Sequence, residues 1–279
     1  MNFDVGFGQY YEGNSLIHRL DPRAKLFFVI IYIVAIFLAR DVYGFIPLGA
    51  IILISVIISR VPFRVILKGL KPLIFIILFT AILNVFWSNG VNIVFQKELI
   101  PNFWTITLYR EGFINAGILA LRITLLLVAT TLFFSYTTTP IALTDGIESA
   151  LSPLKLIKIP IHEFAMMMTI ALRFIPTLVE ETTKIMNAQK ARGADFSSGG
   201  LIKKAKALIP IIIPLFVSAF RRADELATAM ECRCYRGGKG RTKMRIMKMK
   251  FFDYLWMLLG IGLMVGVILL NIYGNGYRL

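Results

Sequence analysis

Two arginines, each set between small residues near the end of a helical segment, form the most specific chemical pattern in this chain. The stretch "AQKARGADF", from Ala188, aligns with "AMECRCYRG", from Ala229, at an offset of 41 residues. Ala188 then meets Ala229, Arg192 meets Arg233, and the cation Lys190 meets the anion Glu231. A cation in the last turn of a helix gains about 0.3–1 kcal/mol from the helix dipole. That accounts for one such arginine, but not for two ends flanked by small residues that leave the guanidinium protruding. An arginine so placed can enter a groove and grip carboxylates or carbonyl oxygens through its five-donor fork. The pattern predicts that Ala191-Arg192-Gly193 and Cys232-Arg233-Cys234 dock a partner. A rival register for the second end, Tyr235-Arg236-Gly237, is less favoured by the internal alignment and is kept as secondary.

Other chemistry-bearing residues do not assemble into a site. "GGKGRT" at 237–242 has Arg233 where a phosphate loop needs its first glycine, and it follows a helix where that loop follows a strand. "IHEFAM" begins like a zinc-protease motif, yet Met166 occupies the second histidine position. Two histidines far apart in sequence and two cysteines one residue apart supply neither a metal site nor an ordinary disulfide. Glu180 and Glu181 sit beside Lys184 on a charged helical face, where solvation is the expected role. No catalytic, cofactor or metal site is expected. Met166, Met167 and Met168 read either as ordinary packing or as an adaptable docking surface for a membrane partner.

These residues must be positioned by a strongly apolar chain. Its hydrophobic fraction is 57% with a mean hydropathy of +0.72, above the apolar share of ordinary soluble domains. The surplus is concentrated in five runs, Leu26–Ala39, Val42–Ser59, Pro72–Trp87, Gly112–Tyr136 and Tyr254–Tyr273. Each can cross a bilayer with flanking residues or tilt, the first and third being short. No cleavable signal peptide is apparent, since acidic residues occupy the first 25 positions. The net charge of +15 is unevenly spread: Arg19, Arg23 and Lys25 precede the first run, and residues 137–253 carry 19 of the 31 Lys and Arg. Short-loop bias puts the N-terminus in the cytoplasm, the basic segment also inside and the C-terminus outside. The same bias accounts for the charge without nucleic acid.

Helix signals divide the chain into a membrane region, 1–136, a cytoplasmic coupling segment, 137–253, and a final span, 254–279. Asp21 before Pro22 is a helix start, as is Thr139 before Pro140. Arg40 and Asp41 form the whole turn between the first two spans, and the tryptophan-bearing stretch from Trp87 to Gly112 is an extracellular loop. Arg122, inside an apolar run, is expected to find a structural partner or to reach outward. In the coupling segment two long helices repeat one plan. An apolar half bent by Pro176, or by Pro210 and Pro214, leads into a charged amphipathic half and then an arginine. Neither reads as a span, and Gly193 ends the first in a left-handed conformation.

Five spans, a long helical insert before the last of them and two Ala-Arg-Gly-type ends resemble the transmembrane T component of energy-coupling factor (ECF) transporters. The resemblance covers nearly the whole chain. It departs in the second triplet, where cysteines flank Arg233. It implies an all-α polytopic protein of the prokaryotic cell membrane that is no enzyme and needs no cofactor. Its implied partners are two cytoplasmic ABC ATPases, one at each arginine end, and a membrane substrate-binding S component that takes up vitamins or metal ions. The rival readings are a self-sufficient secondary transporter, which calls for interrupted helices in two halves, and a membrane-embedded lipid-modifying enzyme. The latter calls for convergent acidic, histidine or serine residues that the sequence does not offer.

Overall fold

The structure, a computed structural model, describes residues 10–11, 13–39, 42–87, 93–100, 104–153, 160–194, 196, 200–237 and 247–273. They divide into two compact units, 1–150 with 246–279, and 151–245. The first contains α1 (Pro22–Leu38), α2 (Val42–Ser59), α3 (Phe63–Trp87), α4 (Arg110–Thr130), α5 (Pro140–Ala150) and α8 (Phe251–Tyr273). A π-helical turn, Thr131–Tyr136, extends α4. The second unit contains α6 (Ile161–Ala191) and α7 (Leu201–Cys232).

The fold class is all-α and polytopic. Among the described residues, five helices are long and apolar enough to cross a membrane: α2, α3, α4 with its π-turn, α6 and α8. The set differs by one helix from the runs read in the sequence. At 17 residues, α1 is only about 25 Å long, the lower limit for a span. The 31-residue α6 joins the set by its length and is the least apolar of the five. The Arg40–Asp41 turn lies outside the described residues, but the helices bracketing it end at Leu38 and begin at Val42. One departure from helix is a hairpin in the loop before α4, where β1 (Ile93–Ile100) pairs antiparallel with β2 (Trp104–Tyr109).

Within the first unit α1 is the most enclosed helix, packed against α8, α4 and α5. Lipid tails are as apolar as leucine, so close packing and interhelical hydrogen bonds must hold such helices together. Both are present. Phe28 meets Tyr32, Phe133 and Trp256 with ring centroids 6.0, 5.1 and 5.4 Å away. A Cβ on Gly260 of α8 would lie 3.1 Å from the Phe28 ring, so glycine permits this approach. The last carbonyls of α1 are unsatisfied within the helix, and two polar side chains reach them. Arg122 Nη2 donates to the Ala39 carbonyl at 2.8 Å, and Asn271 Nδ2 donates to that of Leu38 at 2.6 Å. Arg122 therefore has the structural partner its membrane depth requires, with the Phe45 ring beneath it at 5.6 Å. By contrast α3 buries only Ile66 and exposes Phe75, Phe79 and Trp87, as a lipid-facing helix does.

Candidate functional site

The two arginine ends are built alike. Arg192 caps α6 and Arg233 caps α7, each in the bridge region of backbone space, with φ and ψ of −86° and 10° at Arg192 and of −90° and 13° at Arg233. The next residue turns left-handed in both, with φ of 86° at Gly193 and 56° at Cys234. The Gly193 N–H donates to the Lys190 carbonyl at 3.0 Å, and that of Ala194 donates to Gln189 at 3.0 Å. Shifted by 41 residues, the Cys234 N–H donates to Glu231 at 2.8 Å and that of Tyr235 to Met230 at 3.1 Å. Both ends are thus Schellman caps, closing the helix with paired bonds around a left-handed residue. Arg233, not Arg236, occupies the position equivalent to Arg192. Tyr235, Arg236 and Gly237 follow in irregular chain, where Gly237 adopts a second positive φ of 83°.

Ala191, Arg192 and Gly193 are exposed, as are Cys232, Arg233 and Cys234. Both cysteines are free thiols. Among the described residues neither Arg192 nor Arg233 has an ion-pair partner, so both guanidinium forks are available to another molecule.

The helices meet at equivalent points as well. Arg222 Nη2 donates to Glu181 Oε2 at 3.0 Å, and these residues are 41 apart, the offset of the internal alignment. Glu181 also accepts a hydrogen bond from the Ser218 side chain. From this tie each arginine lies eleven residues onward, or about 16 Å of helix. The second unit is therefore a pair of arms of equal length that end in equal caps. The alignment of "AQKARGADF" with "AMECRCYRG" foretells the equal caps, but not the contact between Glu181 and Arg222. Its only trace in sequence is an anion and a cation at matching positions. Both helices run unbroken through Pro176, Pro210 and Pro214.

Met166, Met167 and Met168 stand in the first turns of α6, roughly two dozen residues or ~36 Å of helix from Arg192. The structure does not bring them to the arginine end. Met167 and Met168 are exposed, while Met166 is partly covered. No group of three metal-binding side chains exists among the described residues. Most of "GGKGRT" lies outside them.

A second polar cluster, marked by no motif in the sequence, sits in the first unit around Lys25, which is 1% exposed. Lys25 Nζ donates to the Thr137 carbonyl at 2.7 Å, Thr138 Oγ1 at 3.1 Å and Thr137 Oγ1 at 3.3 Å. An ammonium has three protons, and all three find acceptors. Nearby, Asp253 in the first turn of α8 accepts the backbone N–H groups of Lys250 at 2.6 Å and Asp21 at 2.8 Å. Asp21 in turn caps α1 through the Arg23 N–H at 3.0 Å. Burial pulls the Lys25 ammonium down to about 7, against the opposing pull of the Asp253 and Asp21 carboxylates. The sequence signal available was a lysine at the start of an apolar helix with no acidic residue in that first turn.

Comparison with known proteins follows the same outline. Residues 13–244 match the CbiQ family model, described as cobalt transport protein. Among curated proteins, the energy-coupling factor transporter transmembrane protein EcfT of Clostridium kluyveri is 53% identical over 253 residues, 90% of this chain and 91% of its own. The protein of that name from Ruminiclostridium cellulolyticum is 50% identical, covering 96% of this chain and 97% of its own. That of Bacillus subtilis is 49% identical, covering 85% and 87%.

Proposed function

Because the chain belongs to the family of energy-coupling factor transporter transmembrane proteins, we propose that it transmits ATP-driven motion from two cytoplasmic ATPases to a substrate-binding S component. The observation that carries this reading is the duplicated helix end. Two exposed arginines, in equal Schellman caps and at equal distance from the Glu181–Arg222 tie, suit two like partners better than one. Each fork enters a groove on one ATPase. When nucleotide draws the ATPases together, the arms move and carry the S component with them. Ala191, Gly193, Cys232 and Cys234 keep the approach to each arginine clear, and Arg236 is secondary. Met166, Met167 and Met168 contribute to the S-component surface. The cargo is a vitamin or a metal ion. The cobalt transport description of the family model fits the second, whereas the names of the relatives specify neither.

In this reading the region to residue 136 is the membrane part, 137–253 the cytoplasmic coupling segment and 254–279 the final span, with the N-terminus in the cytoplasm. α6 then lies along the membrane boundary and does not cross. In a background lacking Cys232 and Cys234, single cysteines at exposed Ser152 and Lys204 should be protected together from an impermeant thiol reagent in intact cells. Labelling of one alone would make α6 a span.

The docking role is tested by Arg192→Ala, Arg233→Ala and the double variant in reconstituted complexes, measuring uptake, ATP hydrolysis and ATPase retention on the same samples. Either single variant should retain its ATPases with uptake reduced at least ~10-fold, as loss of one charged contact of about 1.5–3 kcal/mol predicts. The double variant should shed them. Arg236→Ala should be mild, and lysine should substitute poorly because it lacks the planar fork. Normal uptake by the double variant would sink the proposal.

A further inference from the structure

Residues 151–245 form a compact unit reached through α5 and left through the segment before α8. Both covalent connections are tied to the first turn of α1: the returning one at Lys250, five residues after that unit, and the outgoing one at Gly146, five residues before it, and at Thr137 and Thr138, ahead of α5. At the outgoing connection, Thr137 and Thr138 hold Lys25 Nζ at 2.7–3.3 Å. Thr139 Oγ1 then caps α5 through the Ala142 N–H at 3.3 Å. Farther along α5, Gly146 lies so close to Pro22 that an added Cβ would be 2.9 Å from the Pro22 Cβ. Four residues later α5 ends. At the returning connection, the Asp253 carboxylate bridges the N–H of Lys250, just after Arg245, to that of Asp21.

We infer that this buried knot, made by Asp21, Lys25, Thr137, Thr138 and Asp253, is the abutment of the coupling unit, fixing both of its connections to one turn of α1. The inference rests on the coupling reading above. A lever transmits force only when its mounting does not yield. The knot combines a fully bonded ammonium, a carboxylate on two backbone N–H groups and a side-chain-free contact at Gly146, all buried or closely packed. Hydrogen bonds to a charged group are the strongest in a protein interior. Tyr136, one residue before the knot, extends the mounting to α3. Its hydroxyl donates to the Val65 carbonyl at 3.1 Å and would lie 2.6 Å from a Cβ placed on Gly69. Lys25 is thus a positioning residue for transport, acting through the elements it holds.

The test measures uptake per ATP hydrolysed in complexes reconstituted with the ATPases and S component. Lys25→Met should keep the ATPases bound while the ratio falls at least ~10-fold, the factor that about 1.4 kcal/mol of lost fixation represents. Thr138→Val removes one acceptor at nearly constant shape and should lower the ratio by roughly threefold, whereas Thr138→Ser should restore it. A role in folding alone would reduce the amount of complex and leave the ratio unchanged in what survives. An unchanged ratio in assembled Lys25→Met would overturn the inference. Should Lys25→Met fail to assemble, equal ratios in the two Thr138 variants would overturn it. Absence of bound ATPases or of uptake in the unsubstituted complex would overturn the coupling reading itself, which separates the two failures.

Discussion

Lys25 in the first unit and Arg192 with Arg233 in the second are cations used in opposite ways. Lys25 spends all three of its protons inside the chain and is 1% exposed. The arginines stand at exposed helix ends among small neighbours, and among the described residues their forks bridge to no carboxylate. A buried, bonded cation fixes chain segments to one another, and removing its supports leaves charge or donors stranded. An exposed arginine in a rigid cap contributes little to its own fold and is free to bond elsewhere. The location of the unspent donors, more than the number of positive residues, separates the anchored part of this molecule from the part that reaches out.

The largest effect that distinguishes them should appear in the isolated chain. Asp253→Ala strands the N–H groups of Asp21 and Lys250 and removes a carboxylate that favours charged Lys25. Breaking such a buried arrangement from one side costs about 3–5 kcal/mol. Arg192→Ala or Arg233→Ala should change the same quantity by no more than ~0.5 kcal/mol, as surface substitutions do. Thermal unfolding of the chain in mild detergent, without partners, measures both. Comparable losses would dissolve the contrast between buried and exposed cations.

A smaller effect sharpens the buried side. The Lys25 pKa falls from 10.5 in the free side chain to about 7 in the fold. Between those values the unfolded chain holds a proton that the folded chain has released, so stability rises with pH through that window. The slope from this one group is at most about 1.4 kcal/mol per pH unit. Asp21 and Asp253 face Lys25 and oppose the depression. His18, also near it, is itself depressed by burial first and titrates below 6.5, beneath the window. The unfolding midpoint should therefore rise from pH 7 to pH 9 in the unsubstituted chain, and lose that component in Lys25→Met. An identical slope in both would place the proton release elsewhere.

What could be read from the sequence follows the range of the interactions. The Asp21–Pro22 and Thr139–Pro140 helix starts and the cap at Gly193 are local signals and appear where the residues place them. Four of the five apolar runs fall in helices long enough to span, the third in a helix that begins nine residues ahead of its run, at Phe63. The equal ends at Arg192 and Arg233 were legible because duplication is a property of the chain itself. The Lys25 knot was not, because its acceptors lie more than a hundred residues away and are ordinary threonines. Arg122 could be assigned a partner but not that partner's identity, since a carbonyl carries no sequence mark. The hairpin differs from the extracellular loop expected there: "WTITLY" alternates, but a tryptophan-bearing stretch between two apolar runs has the character of a loop as well. The choice between α1 and α6 as a crossing helix turned on length and polarity near the threshold for a span.

The smallest predicted effect concerns the two caps, where equal geometry is built from unequal residues. Gly193 adopts its φ of 86° without a Cβ, whereas Cys234 at 56° holds a side chain in the left-handed region. Left-handed backbone costs an L-residue about 1–2 kcal/mol, while glycine loses about 0.5–1 kcal/mol more in ordering its freer chain. Gly193→Ala should therefore destabilise α6's end by roughly 0.5–1 kcal/mol net, with open space around the new Cβ leaving backbone strain as the cause. Cys234→Gly should do the reverse by a similar margin and make the second end match the first. Amide hydrogen exchange at Ala194 and Tyr235, whose N–H groups close the two caps, reads both changes locally: faster at Ala194 in the first variant, slower at Tyr235 in the second. Faster exchange at Tyr235 in Cys234→Gly would mean that the thiol side chain supports this cap in a way that the backbone angle alone does not express.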